Sequence, residues 1–304
     1  MKPSIFRCLW MLGLCAALLP AHATDIDSPT LRKIRDTGII TLGHRATSVP
    51  FSYLDAQLEP IGYSMDLCWR IVDEVRNRLG MRDLEVKLIA VTSATRLPMV
   101  ANGTVDLECG VTTNTAERQL NQAFSVTTFV AVSRLLSKKA SGVRSLEDLR
   151  GKAVASTVGT TSIQLLHNLN QSRDLNLKIM AGLDDGDGFR MLQIDRALAF
   201  AMDDVLLRAL VATAPNPAEL EISDEALSVE PYGIGLRRED PVFKQLVDGV
   251  LVGLFRSGEI RQIYRRWFQS PIPPRGINLQ LPMSRALERV IQVPVDTWEP
   301  SRYQ

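Results

Sequence analysis

The chain has 304 residues, with 35 Lys and Arg against 34 Asp and Glu. So even a balance gives no global field to gather nucleic acid or an anionic membrane, and any preference for a charged partner has to be local. The length fits one large or two medium domains, which usually run to about 100–200 residues each.

Lys2 and Arg7 flank the start of an apolar run that reaches Leu19, and Ala21-His22-Ala23 places small residues where a signal peptidase reads. The pattern predicts a signal peptide over residues 1–23, a mature chain from near Thr24 and a periplasmic location. The run is shorter than the roughly 20 residues that span a bilayer, and after Thr24 no apolar stretch approaches that length. A lipid anchor needs a small residue before the modified cysteine, whereas Leu14 precedes Cys15 and Arg7 precedes Cys8. Cleavage leaves Cys68 and Cys109 in an oxidising compartment, where they either pair or remain two buried thiols.

In chain order, Gly38–Gly43 reads as a strand and Ser64–Gly80 as a helix. Met65, Cys68, Ile71, Val72, Val75 and Leu79 stand at helical spacing, with Ser64 as N-cap and Gly80 as C-cap. Leu84–Ala90 and Thr104–Glu108 follow as strands, with a short helix opened by Ser93 between them. A second unit starts near residue 131: Val130–Lys138 is strand-like, and Ser145-Leu-Glu-Asp-Leu has an N-cap followed three residues on by an acid. Lys152–Thr157 is a strand leading to a helix from Ile163. Leu177–Ala181 and Ala197–Met202 are buried strands, the latter followed by a helix over Asp203–Ala212. Tyr232–Leu236 is the last strand, Asp240-Pro241 opens a long amphipathic helix, and Ser270–Arg275 begins a surface-running tail. Strands alternating with helices predict an α/β fold in two lobes.

There is no Walker glycine loop and no dinucleotide fingerprint at a strand-to-helix turn. Only His44 and His167 outlast cleavage, and neither a zinc-protease motif nor a serine elbow is present. No cofactor, no metal and no catalytic residue are therefore expected; binding is favoured over catalysis.

Four loops after strands gather charged and hydroxyl residues: Gly43-His-Arg-Ala-Thr-Ser-Val-Pro-Phe-Ser, Thr92-Ser-Ala-Thr-Arg, Glu108-Cys-Gly-Val-Thr-Thr-Asn-Thr-Ala-Glu-Arg and Thr157-Val-Gly-Thr-Thr-Ser. Open α/β sheets bind ligands at such carboxyl ends. Taken with Gly62-Tyr-Ser-Met-Asp, Ser145-Leu-Glu-Asp-Leu-Arg-Gly-Lys, Ala201-Met-Asp-Asp and Gly258-Glu-Ile…Trp267-Phe, their order resembles the family 3 extracellular solute-binding proteins of polar amino-acid ABC transporters. Leu42-Gly-His-Arg, Val49-Pro-Phe-Ser-Tyr, Asn102-Gly-Thr, Glu108-Cys-Gly, Thr112-Thr-Asn and Pro271-Ile-Pro-Pro are most similar to the periplasmic glutamate/aspartate-binding branch. The similarity spans the mature chain to about residue 280.

The resemblance implies a type II periplasmic-binding-protein fold, two α/β lobes that close like a hinge on the ligand. Crossings near Phe129–Ser133 and Glu230–Gly233 put 24–130 and 231–304 in lobe 1 and 131–230 in lobe 2. It also implies a monomer that binds an amino acid and meets membrane permease subunits. Carried over by position, Arg118 forks onto the ligand α-carboxylate, which a lysine could not do. Thr113 and Thr161 add donors, the latter at a helix N-terminus, and Asp203 receives the α-ammonium. Arg45, Ser93 and Arg96 surround a side-chain carboxylate, so an acidic ligand is favoured.

Each residue also has a bland reading. Thr113, Thr161 and Asp203 could be helix caps, Arg118 a solvated arginine, and Arg45 or Arg96 a partner of protein carboxylates. Asp185 and Val111 depart from the branch: Asp185 stands where a histidine meets the side-chain carboxylate, and Val111 replaces a hydroxyl residue. Arg45, Arg96 and Arg118 against Asp185 and Asp203 predict a pocket charge of plus one, and the two departures predict weaker or broader binding. The rival readings are a periplasmic enzyme resembling cyclohexadienyl dehydratases and a soluble sensing module for a membrane receptor.

Overall fold

The computed structural model describes residues 27–303; the predicted signal peptide and its cleavage point at Thr24 lie outside the described residues. Its strands form two main sheets. In the first the order is Glu85–Ala90, Ile39–His44, Leu107–Glu108, Gly235–Arg237, Gln122–Phe124. The first three are parallel, and Gly235–Arg237 runs antiparallel to both of its neighbours. In the second the order is Lys178–Gly182, Ala153–Thr157, Ala199–Asp203, Phe129–Lys138, Leu220–Ile222, and Ser228–Tyr232 also pairs with Phe129–Lys138. A meander of Thr47–Ser48, Ser52–Leu54 and Pro60–Ile61 makes a small third sheet.

Parallel strands are buried on both faces and read as apolar runs. Ile40 and Leu42 of the first sheet, and Val154, Ala155, Ala199, Phe200 and Ala201 of the second, have no exposed surface. Helix Tyr63–Leu79 lays Met65, Cys68, Ile71, Val72 and Val75 into the core, as the helical spacing predicts, with Leu67 beside them, whereas Leu79 is only partly buried. Its start differs from expectation. Gly62, not Ser64, holds the N-cap position, because φ there is 135° and a Cβ would come within 2.2 Å of the Phe51 carbonyl oxygen. The Ser64 hydroxyl instead donates to the Gly110 carbonyl at 2.7 Å. A disulfide between Cys68 and Cys109 ties the same helix to the same loop.

Phe129–Lys138 and Ser228–Tyr232 carry the chain out of the first sheet and back, lying antiparallel with Phe129 opposite Tyr232. Aromatic rings fix the base of this pair. Phe51 meets Phe129 edge-on at 4.9 Å and Tyr232 at 5.4 Å, Phe129 stacks on Phe268 at 5.2 Å, and the Tyr63 hydroxyl donates to the Thr128 carbonyl at 2.9 Å.

Two expectations for the end of the chain are corrected. The predicted strand Tyr232–Leu236 is two strands, Ser228–Tyr232 and Gly235–Arg237, because the chain changes sheets between them. The predicted surface-running tail folds down instead: Ile272 is buried, and helix Arg285–Gln292, capped by Ser284, buries Leu287, Val290 and Ile291. Beyond it Val295 O accepts from Thr127 N at 2.7 Å, Asp296 O accepts from Asn114 Nδ2 at 2.7 Å, and the Tyr303 and Thr127 hydroxyls bond at 2.8 Å. The tail is a strap across the foot of the crossing pair.

Candidate functional site

The charged residues singled out above collect where the two sheets face each other, at the carboxyl ends of their strands. Arg45 follows strand Ile39–His44. Its backbone N–H donates to Ser52 Oγ at 2.9 Å, and its guanidinium donates to Ser93 Oγ at 2.8 Å. Ser93 therefore orients an arginine rather than opening the short helix, which spans Arg96–Ala101 with Thr95 at the N-cap position. Arg96 is 2% exposed. Its Nη1 donates to the Val111 carbonyl at 2.7 Å, and its Nε is buried with no partner among the described residues. Val111 thus enters the site through its backbone, which makes its missing hydroxyl less consequential for holding Arg96.

Arg118, in the short helix Ala116–Gln119, donates to Thr113 O at 2.9 Å and reaches across the cleft to Gly159 O at 3.2 Å. Thr113 forms an isolated bridge with Tyr232 on the returning crossing strand. On the opposite wall the helix predicted from Ile163 starts at Thr161, and it is Thr160 whose hydroxyl caps it by accepting from Ile163 N. This frees the Thr161 hydroxyl, which donates to Glu230 Oε2 at 2.7 Å. Asp185 opens helix Asp185–Gln193 and accepts from the Thr157 hydroxyl at 2.8 Å. Asp203 ends strand Ala199–Asp203; its side chain makes no capping bond and accepts from the Tyr232 hydroxyl instead.

Seven of the nine singled-out residues line one interlobe cavity: Ser93, Arg96, Val111, Thr113, Thr161, Asp185 and Asp203. Arg45 stands behind Ser93, and Arg118 lies at the cleft mouth with Gly159, Thr160 and Glu230. Thr160, Met202 and Leu206 also line the cavity and were not anticipated. The cavity volume is only ≈ 10 Å³, about one water's worth, so the lobes are drawn together and must part before a ligand enters.

Two buried carboxylates were missed. Glu108 accepts from the Thr112 hydroxyl at 2.6 Å and leaves Oε1 without a partner among the described residues; Glu230 accepts from the Thr161 and Ser228 hydroxyls. Both were visible as acids within conspicuous segments, but nothing in their spacing says that they turn inward. They correct the charge expectation. Three guanidinium groups face four carboxylates, Glu108, Asp185, Asp203 and Glu230, so the formal sum is minus one rather than plus one.

The electrostatics are correspondingly tense. Burial pushes Arg96 down to about 9, and the neighbouring Arg118 and Arg45 push the same way against Glu108 and Asp185. A guanidinium does not in practice give up its proton, so the lowering reflects the cost of holding this cation buried in the cleft. Arg118 is lowered by burial and supported by Glu230, Glu108 and Asp203. Asp203 is raised well above the usual carboxylate range by burial and then by Glu230, with the Tyr232 hydrogen bond opposing; its Oδ1 is buried with no partner among the described residues. The arrangement offers donors for anionic groups on the lobe 1 wall and an uncompensated acceptor for a cation on the other.

Residues 40–270 match the model of the bacterial extracellular solute-binding proteins, family 3. The chain belongs to this family. The solute-binding protein is 45% identical to the L-glutamate/L-aspartate-binding protein of Pseudomonas aeruginosa, over 93% of this chain and 95% of that one. It is 44% identical to the glutamate/aspartate import solute-binding protein of Escherichia coli, over 94% and 95%. A crystal structure of a mutant arginine-binding protein from T. maritima superposes with a TM-score of 0.68 at 30% identity, over 79% of this chain and 99% of that one. The fold of the solute-binding protein is that of the type II periplasmic binding proteins, with two α/β lobes.

Proposed function

We propose that this protein is the periplasmic amino-acid-binding component of an ABC uptake system, and that it takes glutamate, aspartate or a close analogue. In this reading lobe 1 comprises 24–130 and 231–304, lobe 2 comprises 131–230, and the cleft between them closes about the crossing pair. The exported chain works as a monomer, hands its amino acid to permease subunits and performs no catalysis. The observation that carries the reading is the opposition, inside one cleft, of the buried Arg45 and Arg96 and the half-buried Arg118 to the Oδ1 of Asp203, which has no partner among the described residues. A zwitterion with an extra acidic group satisfies both sides at once.

By position, Arg118 with Thr113 and Thr161 would hold the α-carboxylate, and Asp203, with Glu230 behind it, the α-ammonium. Arg45, Ser93 and Arg96 would take the side-chain group. The names of the relatives, binders of glutamate and aspartate, support the same class. A thermal-shift screen of the amino acids tests the proposal, because a ligand bound only by the native state raises the melting temperature. A rise with acidic amino acids or their analogues is expected; no rise with any amino acid overturns it. A second, enzymatic reading draws on the raised Asp203, a buried acid that could donate a proton; dehydration of prephenate or arogenate by the purified protein would establish that alternative.

A further inference from the structure

Arg118 is held by the two neighbours of Asn114. The Thr113 carbonyl accepts from its guanidinium at 2.9 Å, and the Thr115 hydroxyl accepts from its backbone N–H at 3.2 Å, capping helix Ala116–Gln119. That helix is a single turn of four residues. One turn fixes many backbone angles for few hydrogen bonds and does not sustain itself, so its aim depends on what grips it from outside.

Asn114 supplies the grip. It is buried, and its backbone N–H donates to the Pro231 carbonyl at 2.7 Å on the returning crossing strand. Its Nδ2 donates to the Asp296 carbonyl at 2.7 Å in the strap, and its Oδ1 accepts from Gln119 Nε2 at 2.8 Å. A carbonyl can only accept, so the Asp296 bond fixes which way the Asn114 amide points and leaves Oδ1 for Gln119. Asp296 is held in turn: its carboxylate pairs with Lys244 of helix Pro241–Ser257 at 2.8 Å. A line of contacts therefore runs from that helix through the strap to Asn114, and through Gln119 to the turn that carries Arg118. Neither an alanine nor an aspartate at 114 would complete it, since the first lacks both groups and the second lacks the donor.

Resting on the amino-acid reading above, we propose that Asn114 is the positioning residue for Arg118: pinned to the C-terminal strap, it fixes the turn from which the guanidinium meets the α-carboxylate, so that the strap sets affinity without touching the amino acid. A two-pronged guanidinium contact is directional, and a tilted base weakens both prongs together.

Calorimetric titration of the full mature chain with L-glutamate and with L-aspartate tests this. Asn114→Ala is expected to weaken binding by about tenfold, less than removal of the fork itself, and Gln119→Met by about threefold. The double variant should bind as weakly as Asn114→Ala and no more weakly, because among the described residues Gln119 is joined to the strap through Asn114. Val75→Ala, which removes buried packing from helix Tyr63–Leu79, serves as a control for general loss of stability; it should lower the melting temperature and leave affinity within about threefold of the parent. If Asn114→Ala does not fold, Gln119→Met at the part-buried end of the turn carries the test, and unchanged affinity there overturns the inference. Asn114→Ala binding as the parent does, losses that multiply in the double variant, or an equal loss in Val75→Ala overturn it while leaving the amino-acid reading in place. A parent chain that binds neither acid overturns both.

Discussion

The Tyr232 hydroxyl donates to Oδ2 of Asp203, while Oδ1 of the same carboxylate lies buried with no donor among the described residues. A residue on the returning crossing strand thus fixes the orientation of the anionic end of the cleft, and the protein keeps half of that carboxylate in reserve at the expense of its own stability.

Asp203→Asn should therefore stabilise the ligand-free protein at neutral pH and weaken amino-acid binding. The sign follows from linkage. The Asp203 pKa is raised in the native state above the unfolded value of about 3.9. Between those two values the native state binds the proton that the unfolded chain has lost, so stability falls as pH rises through that window. At pH 7 to 8 the variant should melt higher, by about 2–4 °C for each kcal/mol relieved, and the gap should narrow toward pH 4. Melting curves across this range check it; a variant less stable than the parent at every pH would refute the account.

Gly159→Ala should hold the lobes apart. At Gly159 φ is +77°, and a Cβ there would come within 2.7 Å of the carbonyl carbon and oxygen of Ser93 on the facing wall. Small-angle scattering with saturating amino acid should show a larger radius of gyration than the parent, together with weaker binding by about tenfold or more, because the closed state would be less populated.

Arg118→Lys keeps the charge and removes the fork. A lysine cannot offer two parallel donors, and it would also give up the contact from Arg118 to Gly159 O across the cleft. We expect affinity to fall by roughly 100-fold, within the about 2–5 kcal/mol typical of a disrupted buried charge contact. Calorimetry with the ligand identified by the thermal-shift screen would measure it, and a loss under about threefold would take Arg118 out of the proposed clamp.

Removing the Cys68–Cys109 bridge, which closes a separation of 41 residues, should cost about 2–4 kcal/mol. Urea unfolding of the Cys68→Ser/Cys109→Ser double variant, and of the parent under reductant, should show similarly lowered midpoints. Because Cys109 stands between Glu108 and Gly110, in the loop that carries Val111 into the site, binding should weaken in both.

Much of this molecule is legible in the sequence because strand-to-helix order and glycine or hydroxyl punctuation follow from local chemistry. Asp240 as a cap before Pro241 and Gly80 as a left-handed helix end are both realised. What is not legible depends on long-range partners. Ser64 reads as a cap, but the close approach of Phe51 to Gly62 decides the helix start. Thr160 and Thr161 are interchangeable on paper until Glu230, 69 residues away from Thr161, claims one hydroxyl. Glu108 and Glu230 look like ordinary acids, and their inward turn depends on the arginines they face and the hydroxyls that Thr112 and Ser228 supply. The C-terminal helix has an amphipathic pattern too short to announce a docking site, and its burial is set by helix Pro241–Ser257, the turn Pro300–Tyr303 and the crossing strand Phe129–Lys138 that it packs against.

The strap has an optical consequence. Trp69 and Trp267 belong to helices on the first sheet's side, Trp298 lies in the strap that is bonded to Thr127 and Asn114, and residues 131–230 contain no tryptophan. Among the described residues indole emission therefore arises from the first sheet's side alone, and in the proposed two-lobed hinge an acceptor dye placed within residues 131–230 receives its energy across the cleft. Transfer efficiency would read the opening angle directly, with the protein's own tryptophans as donors and the tail moving with them.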